Sequence, residues 1–377
     1  MLAHAKGEIL FITGAGTSRP AGLPDFRQLV LQAYQRLDPS VHEVMKVDAK
    51  SRTTSAGLTD NQNAEVQRFD RGDFDVVLGM LERRIDGTAT TRGKVRQELL
   101  QLVRTVSVNG KSEIPRPAPI HRSLIRLADR GAAVSIATTN FDRLLQAASA
   151  KPVETHSLGA IPRPSLRDDF SGVLHIHGVL NADARQPSDV VVTDRDFGEF
   201  YLRRRIVPDF IYDAARLYNL VLVGYSANDA PMRYLLNAVA ADGSRFRDLR
   251  ERYAFVNLKE IDGSIDLEDW RGRGITPIPY DSADFHKELA TTLSRWSDLS
   301  AVNGTPKKVE TLMRRLVKKS RAMTAEPERD LFDHLFRRSN FAERLKIASN
   351  VSSARADVDW LDAMNSISAE SDHEGLG

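Results

Sequence analysis

The sequence contains no cysteine. Disulfides, thiolate nucleophiles and every zinc site that needs sulfur ligands are thereby excluded, and a reducing cytosol is compatible with the composition. Long apolar runs are missing as well: none reaches the roughly 20 residues of a membrane span. The stretch from Met1 through Lys6 enters a short apolar segment with no small-residue cleavage site. Neither a span nor a secretory signal is expected, and a cytoplasmic location is. Charge of one sign is scarce: 53 Lys and Arg stand against 51 Asp and Glu, a formal net charge of +2. Global electrostatics therefore demand no nucleic-acid partner, and direct nucleic-acid binding is not expected.

What is present is a chain of 377 residues, 41% of them hydrophobic, enough to bury one large core or two smaller ones. Glu8 to Thr13 (EILFIT) reads as a buried strand that stops at Gly14, with a helix expected from about Phe26. From there to about Arg130 the pattern is helical, broken by a polar stretch from Lys50 to Glu65 that has little to bury and reads as a loop. Pro115, Pro117 and Pro119 cannot sit inside a helix and mark a connection before a helix from His121 to Asp129. Short β-rich segments follow at Ala133 to Thr138, Val173 to Ile176, Val190 to Thr193, Leu220 to Gly224 and Tyr253 to Leu258. They alternate with helical or looped stretches, the rhythm of an α/β fold. The expected architecture is a Rossmann-like, doubly wound, mostly parallel sheet with a helical insertion (about residues 30–130) and a C-terminal helical region.

Residues 1–300 are expected to form the α/β domain and 301–377 the added helices. In the latter, Val309, Leu312, Met313, Leu316 and Val317 keep helix spacing among Lys and Arg, and a second helical stretch carries Leu331, Leu335 and Phe336. The residues from Ser366 onward read as a frayed polar tail.

The first chemical signal is Gly14-Ala15-Gly16-Thr17-Ser18, a glycine turn between strand and helix where backbone amides can approach a phosphate. The next glycine is Gly22, so the full dinucleotide spacing is absent and a ligand-free tight turn is the alternative. The continuation, Leu23-Pro24-Asp25-Phe26-Arg27, projects an acid, an aromatic ring and a guanidinium in succession from a rigid turn.

The run GAGTSRPAGLPDFR resembles the sirtuin signature GAGxSxxxGIPDFR. Further segments match in the same order: Thr138-Thr139-Asn140-Phe141-Asp142 resembles TQNID, His177-Gly178 the catalytic His-Gly pair, Gly224-Tyr225-Ser226 the GTS loop, and Val256-Asn257 the late Asn. The resemblance implies NAD as substrate and no metal. It makes Asn140 and His177 catalytic, the first orienting a water or the ribose, the second acting as base. It implies that Asp142 and the Phe141 backbone hold the nicotinamide carboxamide, with Thr139 beside them, while Leu23, Pro24, Asp25, Phe26 and Arg27 close over the ribose. Gly14, Ala15, Gly16, Ser18, Gly224 and Ser226 would cradle the phosphates and ribose, and Asn257 the adenosine ribose.

Each residue also has a structural reading: Asn140 as a helix cap, Asp142 as a first-turn charge, Ser226 as a cap before Asn228 and Asp229. His175 and His177, alternate on a strand, could ligate a metal, but the nearby acids Asp168, Asp169 and Asp183 follow no ligand spacing. Gly224-Tyr225-Ser226-Ala227-Asn228 fails the serine hydrolase elbow at its last position. Phe197-Gly198-Glu199 matches a deacylase tripeptide only superficially, because TDRDFGEFY reads as a strand end and helix start.

Deacylating sirtuins carry four zinc-binding cysteines, which this chain lacks. GYSANDAPMRYLL and the helical insertion instead resemble the sirtuin-like proteins of bacterial antiphage systems. That resemblance implies an NAD glycohydrolase that yields nicotinamide and ADP-ribose and drains NAD on infection. It also implies a homo-oligomer and a separate subunit such as a HerA-like hexameric ATPase, with an Argonaute or another sensor as the alternative. The competing functions are an NAD-dependent protein deacylase and a non-catalytic module that binds NAD or ADP-ribose.

Overall fold

The computed structural model describes residues 2–5, 7–48, 57–87, 93–108, 110–129, 133–164, 170–179, 190–225, 236, 249–258, 264–302, 306–339, 341–353 and 358–374. Two compact units are present, Glu8–Leu293 and a helical unit of Met1–Gly7 with Ser294–Gly377. Among the described residues no helix is long and apolar enough to cross a membrane.

Among the described residues the larger unit has nine strands: β1 (Ile9–Thr13), β2 (Val106–Val108), β3 (Lys111–Glu113), β4 (Ser135–Thr138), β5 (Thr155–His156), β6 (Gly172–His175), β7 (Asn219–Val223), β8 (Arg252–Asn257) and β9 (Thr276–Tyr280). Seven form one sheet in the order β5-β6-β4-β1-β7-β8-β9, every pair parallel. With the edge strand β5 set aside, the remaining strands stand in the doubly wound order 3-2-1-4-5-6. The expected α/β class is therefore what the chain adopts. β1 is buried along its whole length, as a strand covered by helices on both faces must be. On one face Leu10, Ile12, Leu174, Leu220 and Leu222 join Phe210 and Ile211 in a continuous core.

The helical insertion has its own core, in which Val30, Tyr34, Val41, Val77, Leu78, Leu81 and Leu99 are fully or almost fully buried. Two expectations fail here. Asp60–Asp70 is a helix rather than a loop, because Thr59 and Gln62 form a reciprocal capping box and Glu65 is buried in a bidentate pair with Arg84. The earlier part of the polar stretch, 50–56, lies outside the described residues. β2 and β3 form an antiparallel hairpin in a region that reads as helical, too short for its periodicity to show.

Val190 to Thr193, read as a strand, pairs with no strand among the described residues. Its Val191 amide donates to the His177 carbonyl at 2.8 Å, and the Val192 amide to Asp196 Oδ2 at 3.1 Å. The alternation still holds: Val191 enters the sheet core, and Val190 and Val192 enter the insertion core. β9, which carries Pro277 and Pro279, is not among the segments read as strands. It is an edge strand, where prolines at alternate positions remove no ladder bond.

In the helical unit, Met313, Leu316 and Val317 pack on Phe332, Leu335, Ile347 and a fully buried Trp360, so the apolar stripe is used within that unit. The Trp360 ring lies tilted against Phe332 at a centroid distance of 4.4 Å, and its indole N–H donates to the Lys319 carbonyl at 2.9 Å. The supposed frayed tail is helical through Glu374, on the helix Val358–Glu374, with Ile367 buried.

Candidate functional site

In a parallel sheet all strands end at one edge, and β1, β4, β6, β7 and β8 deliver Gly14, Asn140, His177, Gly224 and Asn257 to it in turn. The winding reverses between β1 and β7, the position where open α/β sheets bind ligands. Here the loops after β1 and β7 lie against one another. The Gly14 amide donates to the Val223 carbonyl and the Gly16 amide to the Gly224 carbonyl, both at 2.9 Å. A Cβ on Gly16 would fall 2.9 Å from Gly224 Cα, and Gly224, at φ +72°, would carry one 2.6 Å from the Thr17 amide nitrogen. The glycines therefore permit a backbone approach, as expected, but first of all between two loops of this chain.

The helix expected from about Phe26 begins there. Two short 3₁₀ turns, Ala15–Thr17 and Arg19–Ala21, precede it, and the helix Phe26–Leu37 starts at its Asp25 cap. The amides of Thr17 and Ser18 donate to the carbonyls of Gly14 and Ala15.

Asn140 is the centre of the site. Its two Nδ2 hydrogens are shared among Gly14 O at 3.1 Å, Thr17 Oγ1 at 3.1 Å and Ser18 Oγ at 2.9 Å. Those partners define the amide's orientation: Gly14 O only accepts, Thr17 Oγ1 gives its hydrogen to Gly14 O, and Ser18 Oγ gives its hydrogen to Asp142 Oδ2 at 2.8 Å. Among the described residues the carboxamide oxygen Oδ1 is left without a partner, the atom able to accept from a water or a hydroxyl. The Asn140 backbone is pinned too, its amide to Thr138 Oγ1 at 3.0 Å and its carbonyl by His175 Nδ1 at 2.8 Å.

Asp142 accepts from Ser18 and, at 3.0 Å, from the Leu144 amide; burial raises its pKa, and those hydrogen bonds oppose the rise. Thr139 accepts from Tyr225 Oη at 3.1 Å, and its amide donates to the Thr13 carbonyl at 2.9 Å. Phe141 packs on the insertion core.

His175, weighed with His177 as a metal pair, has both ring nitrogens engaged: Nδ1 with the Asn140 carbonyl and Nε2 with Gln146 Nε2 at 2.8 Å. It acts as a strut beneath Asn140, and burial lowers its pKa to about 4. Among the described residues no cluster of acids and histidines suited to a metal occurs.

His177 leaves the end of β6 into a pocket of aromatic rings. Its Nε2 is 2.6 Å from Tyr201 Oη, its ring meets Phe197 edge-on at a centroid distance of 5.6 Å, and burial lowers its pKa to about 3. Both aromatic neighbours were missed in the sequence. The FGEFY segment is a helix start, as read, with Thr193 as its cap, yet it also places Phe197 and Tyr201 over His177. Their four-residue spacing on a helical segment was the available signal.

A further missed residue is His121, on the helix Pro119–Ala128. Its Nδ1 accepts from the Ala118 amide at 3.1 Å, so Nε2 carries the hydrogen and faces Ser18 Oγ at 3.5 Å. Burial lowers its pKa to about 4. Nothing marked it beyond its place after the proline cluster.

The Leu23 to Arg27 segment has structural work of its own. Leu23 is buried, Pro24 half-buried, and Asp25 caps its helix by accepting from the Gln28 amide at 2.8 Å. Phe26 packs edge-on against Phe74, and Arg27 lies 5.0 Å above the Phe69 ring. Asn257 is half-buried and ends β8 opposite Tyr280. Ser226 lies outside the described residues.

Residues 134–278, somewhat under half of the chain, match the family model of the SIR2-like domain. The match takes in Asn140, His177, Gly224 and Asn257 and begins after the glycine turn. The uncharacterized protein y4cA of Sinorhizobium fredii is 33% identical over 288 residues, which cover 73% of this chain and 21% of that protein. The chain thus spans about a fifth of the length of that relative. A Sir2 homolog solved as an NAD complex shares 14% identity over 79% of this chain and 92% of its own, with a TM-score of 0.34. A Sir2 enzyme solved for its mechanism and regulation shares 14% over 79% and 96%, with a TM-score of 0.32. At those scores the overlap bears on neither ligand nor mechanism.

Proposed function

We propose that this chain binds NAD at the switch point between β1 and β7 and hydrolyses its nicotinamide–ribose bond. Water adds to the anomeric carbon, nicotinamide leaves with the bonding pair, and ADP-ribose and a proton are the other products. The observation that carries the reading is the fixed carboxamide of Asn140: its nitrogen is anchored by Gly14, Thr17 and Ser18, leaving Oδ1 to hold an attacking water or a ribose hydroxyl. Asp142, on the same network, is placed to hold the nicotinamide carboxamide, and Asp25 to Arg27 to shield the charge that develops on the ribose. His177 serves as base once its Nε2 is exposed.

The wider reading rests on the sirtuin-like resemblance. The activity drains NAD during phage infection, and the chain works as a homo-oligomer with a sensor subunit such as a HerA-like ATPase, assembled through the C-terminal helices.

The test is a time course with NAD, with and without that ATPase, resolving nicotinamide, ADP-ribose and its cyclised form by chromatography. Nicotinamide should accumulate and be lost in Asn140→Ala and His177→Ala proteins whose circular dichroism is unchanged. Turnover that requires an acylated peptide would assign a deacylase instead. A thermal shift with NAD and no product under any condition would assign a regulatory module.

A further inference from the structure

Resting on the reading of His177 as a base, we propose that Tyr201 is a latch that holds this histidine out of reach until the helical segment carrying it shifts. His177 is 5% exposed and Tyr201 9%. The 2.6 Å contact occupies His177 Nε2 with the tyrosine hydroxyl, so that nitrogen is closed to any other partner. Phe197 at 5.6 Å and Tyr201 at 5.9 Å between ring centroids enclose the ring, and an imidazole so desolvated stays neutral far below its ordinary range. In this arrangement the group is a poor proton acceptor and its Nε2 is already engaged.

The segment over it has the construction of a part with two positions. At its start Asp196 is clasped by Arg96 and Asp194 by Arg83, both from the helical insertion, and Gly79 lets the insertion helix Phe74–Asp86 approach Asp194 without a side chain between. Its middle, Gly198–Arg203, is a turn of π-helix, a geometry with poorer packing than the α form and one that recurs where helices must adjust. At its end Arg205 sits at φ +56°, a conformation that an ordinary side chain disfavours. The insertion therefore holds the first turn while the strained remainder carries Tyr201, and movement of one is transmitted to the other.

The experiment uses the full chain and the Tyr201→Phe variant, which keeps the ring and removes one hydroxyl. Diethyl pyrocarbonate acylates an accessible imidazole lone pair, and peptide mapping by mass spectrometry reads the rate at His177 alone. Loss of one hydrogen bond should raise that rate about fivefold, and basal nicotinamide release from NAD by a similar factor. Asp196→Asn, which weakens the clasp from the other side, should move both quantities the same way and serves if Tyr201→Phe folds poorly. An unchanged His177 rate in both variants overturns the latch. A raised rate with reduced nicotinamide release also overturns it and makes Tyr201 a proton relay. A raised rate with no nicotinamide from any variant upholds the occlusion of His177 and overturns the NAD reading instead.

Discussion

Asn140 and Ser18, 122 residues apart in sequence, are joined by a 2.9 Å hydrogen bond from amide to hydroxyl, and Ser18 passes its own hydrogen to Asp142. The serine is thus the hinge of the network: without it Asn140 loses one acceptor and Asp142 one donor in a buried place. Ser18→Ala is expected to reduce nicotinamide release about tenfold or more, the equivalent of one such hydrogen bond lost from the transition state. Steady-state kinetics would show the fall mainly in kcat, and an unchanged kcat in the folded variant would remove Ser18 from the site.

Gly224 is a position where a side chain meets backbone. Ala there would need the left-handed conformation and would press its methyl onto the Thr17 amide nitrogen. Gly224→Ala should destabilise the larger unit by about 2–4 kcal/mol, measured as a lower urea midpoint at unchanged slope. Gly198→Ala, where a Cβ meets nothing within 4 Å, is the control.

Three buried histidines give stability a predictable pH dependence. His121 and His175 titrate at about 4 and His177 at about 3 in the folded chain, against 6.5 when unfolded. Below 6.5 the unfolded chain therefore binds protons that the folded chain does not, and stability falls as pH falls from there toward the folded values. Each histidine costs about 1.4 kcal/mol per pH unit, or about 2 kcal/mol at pH 5. Urea titrations at pH 7.5, 6 and 5 should show this decline, and His121→Asn should make it shallower. A flat profile would mean that these rings are not buried neutral.

Arg96 is buried among Glu82, Asp196 and the Val190 carbonyl, and it ties the insertion to the segment that follows the unpaired valines. Arg96→Met strands a buried carboxylate and should cost about 3–5 kcal/mol. Burial already raises the Glu82 pKa, and the ion pair with Arg96 restrains the rise. Without that pair Glu82 should take up a proton at mild acidity, so the loss measured at pH 8 should shrink at pH 5.5.

Much of this was legible from local pattern. EILFIT, SIAT and LVLVG are short, largely apolar runs bounded by turns, and they are the central strands β1, β4 and β7 because a strand covered on both faces must be buried throughout. Glycine and proline placed the turn after β1 and the start of the helix at Phe26. Local pattern does not show features that take their meaning from a distant partner. Glu65 reads as a loop charge until Arg84 pairs with it, and Pro277 and Pro279 break a strand unless it is an edge.

The order of residues by itself determined the class of fold, the cysteine-free chemistry and the segments, from GAGTS to TTNFD and LHIHG, in which function was to be sought, because these depend on composition and on periodicity over a few residues. Only tertiary structure decided that Ser18 bridges Asn140 and Asp142, that the two glycine loops occupy each other's space, and that Tyr201 sits on His177. Those contacts join residues from different strand ends, and their distances are set by sheet order and helix packing, which no short window of sequence contains.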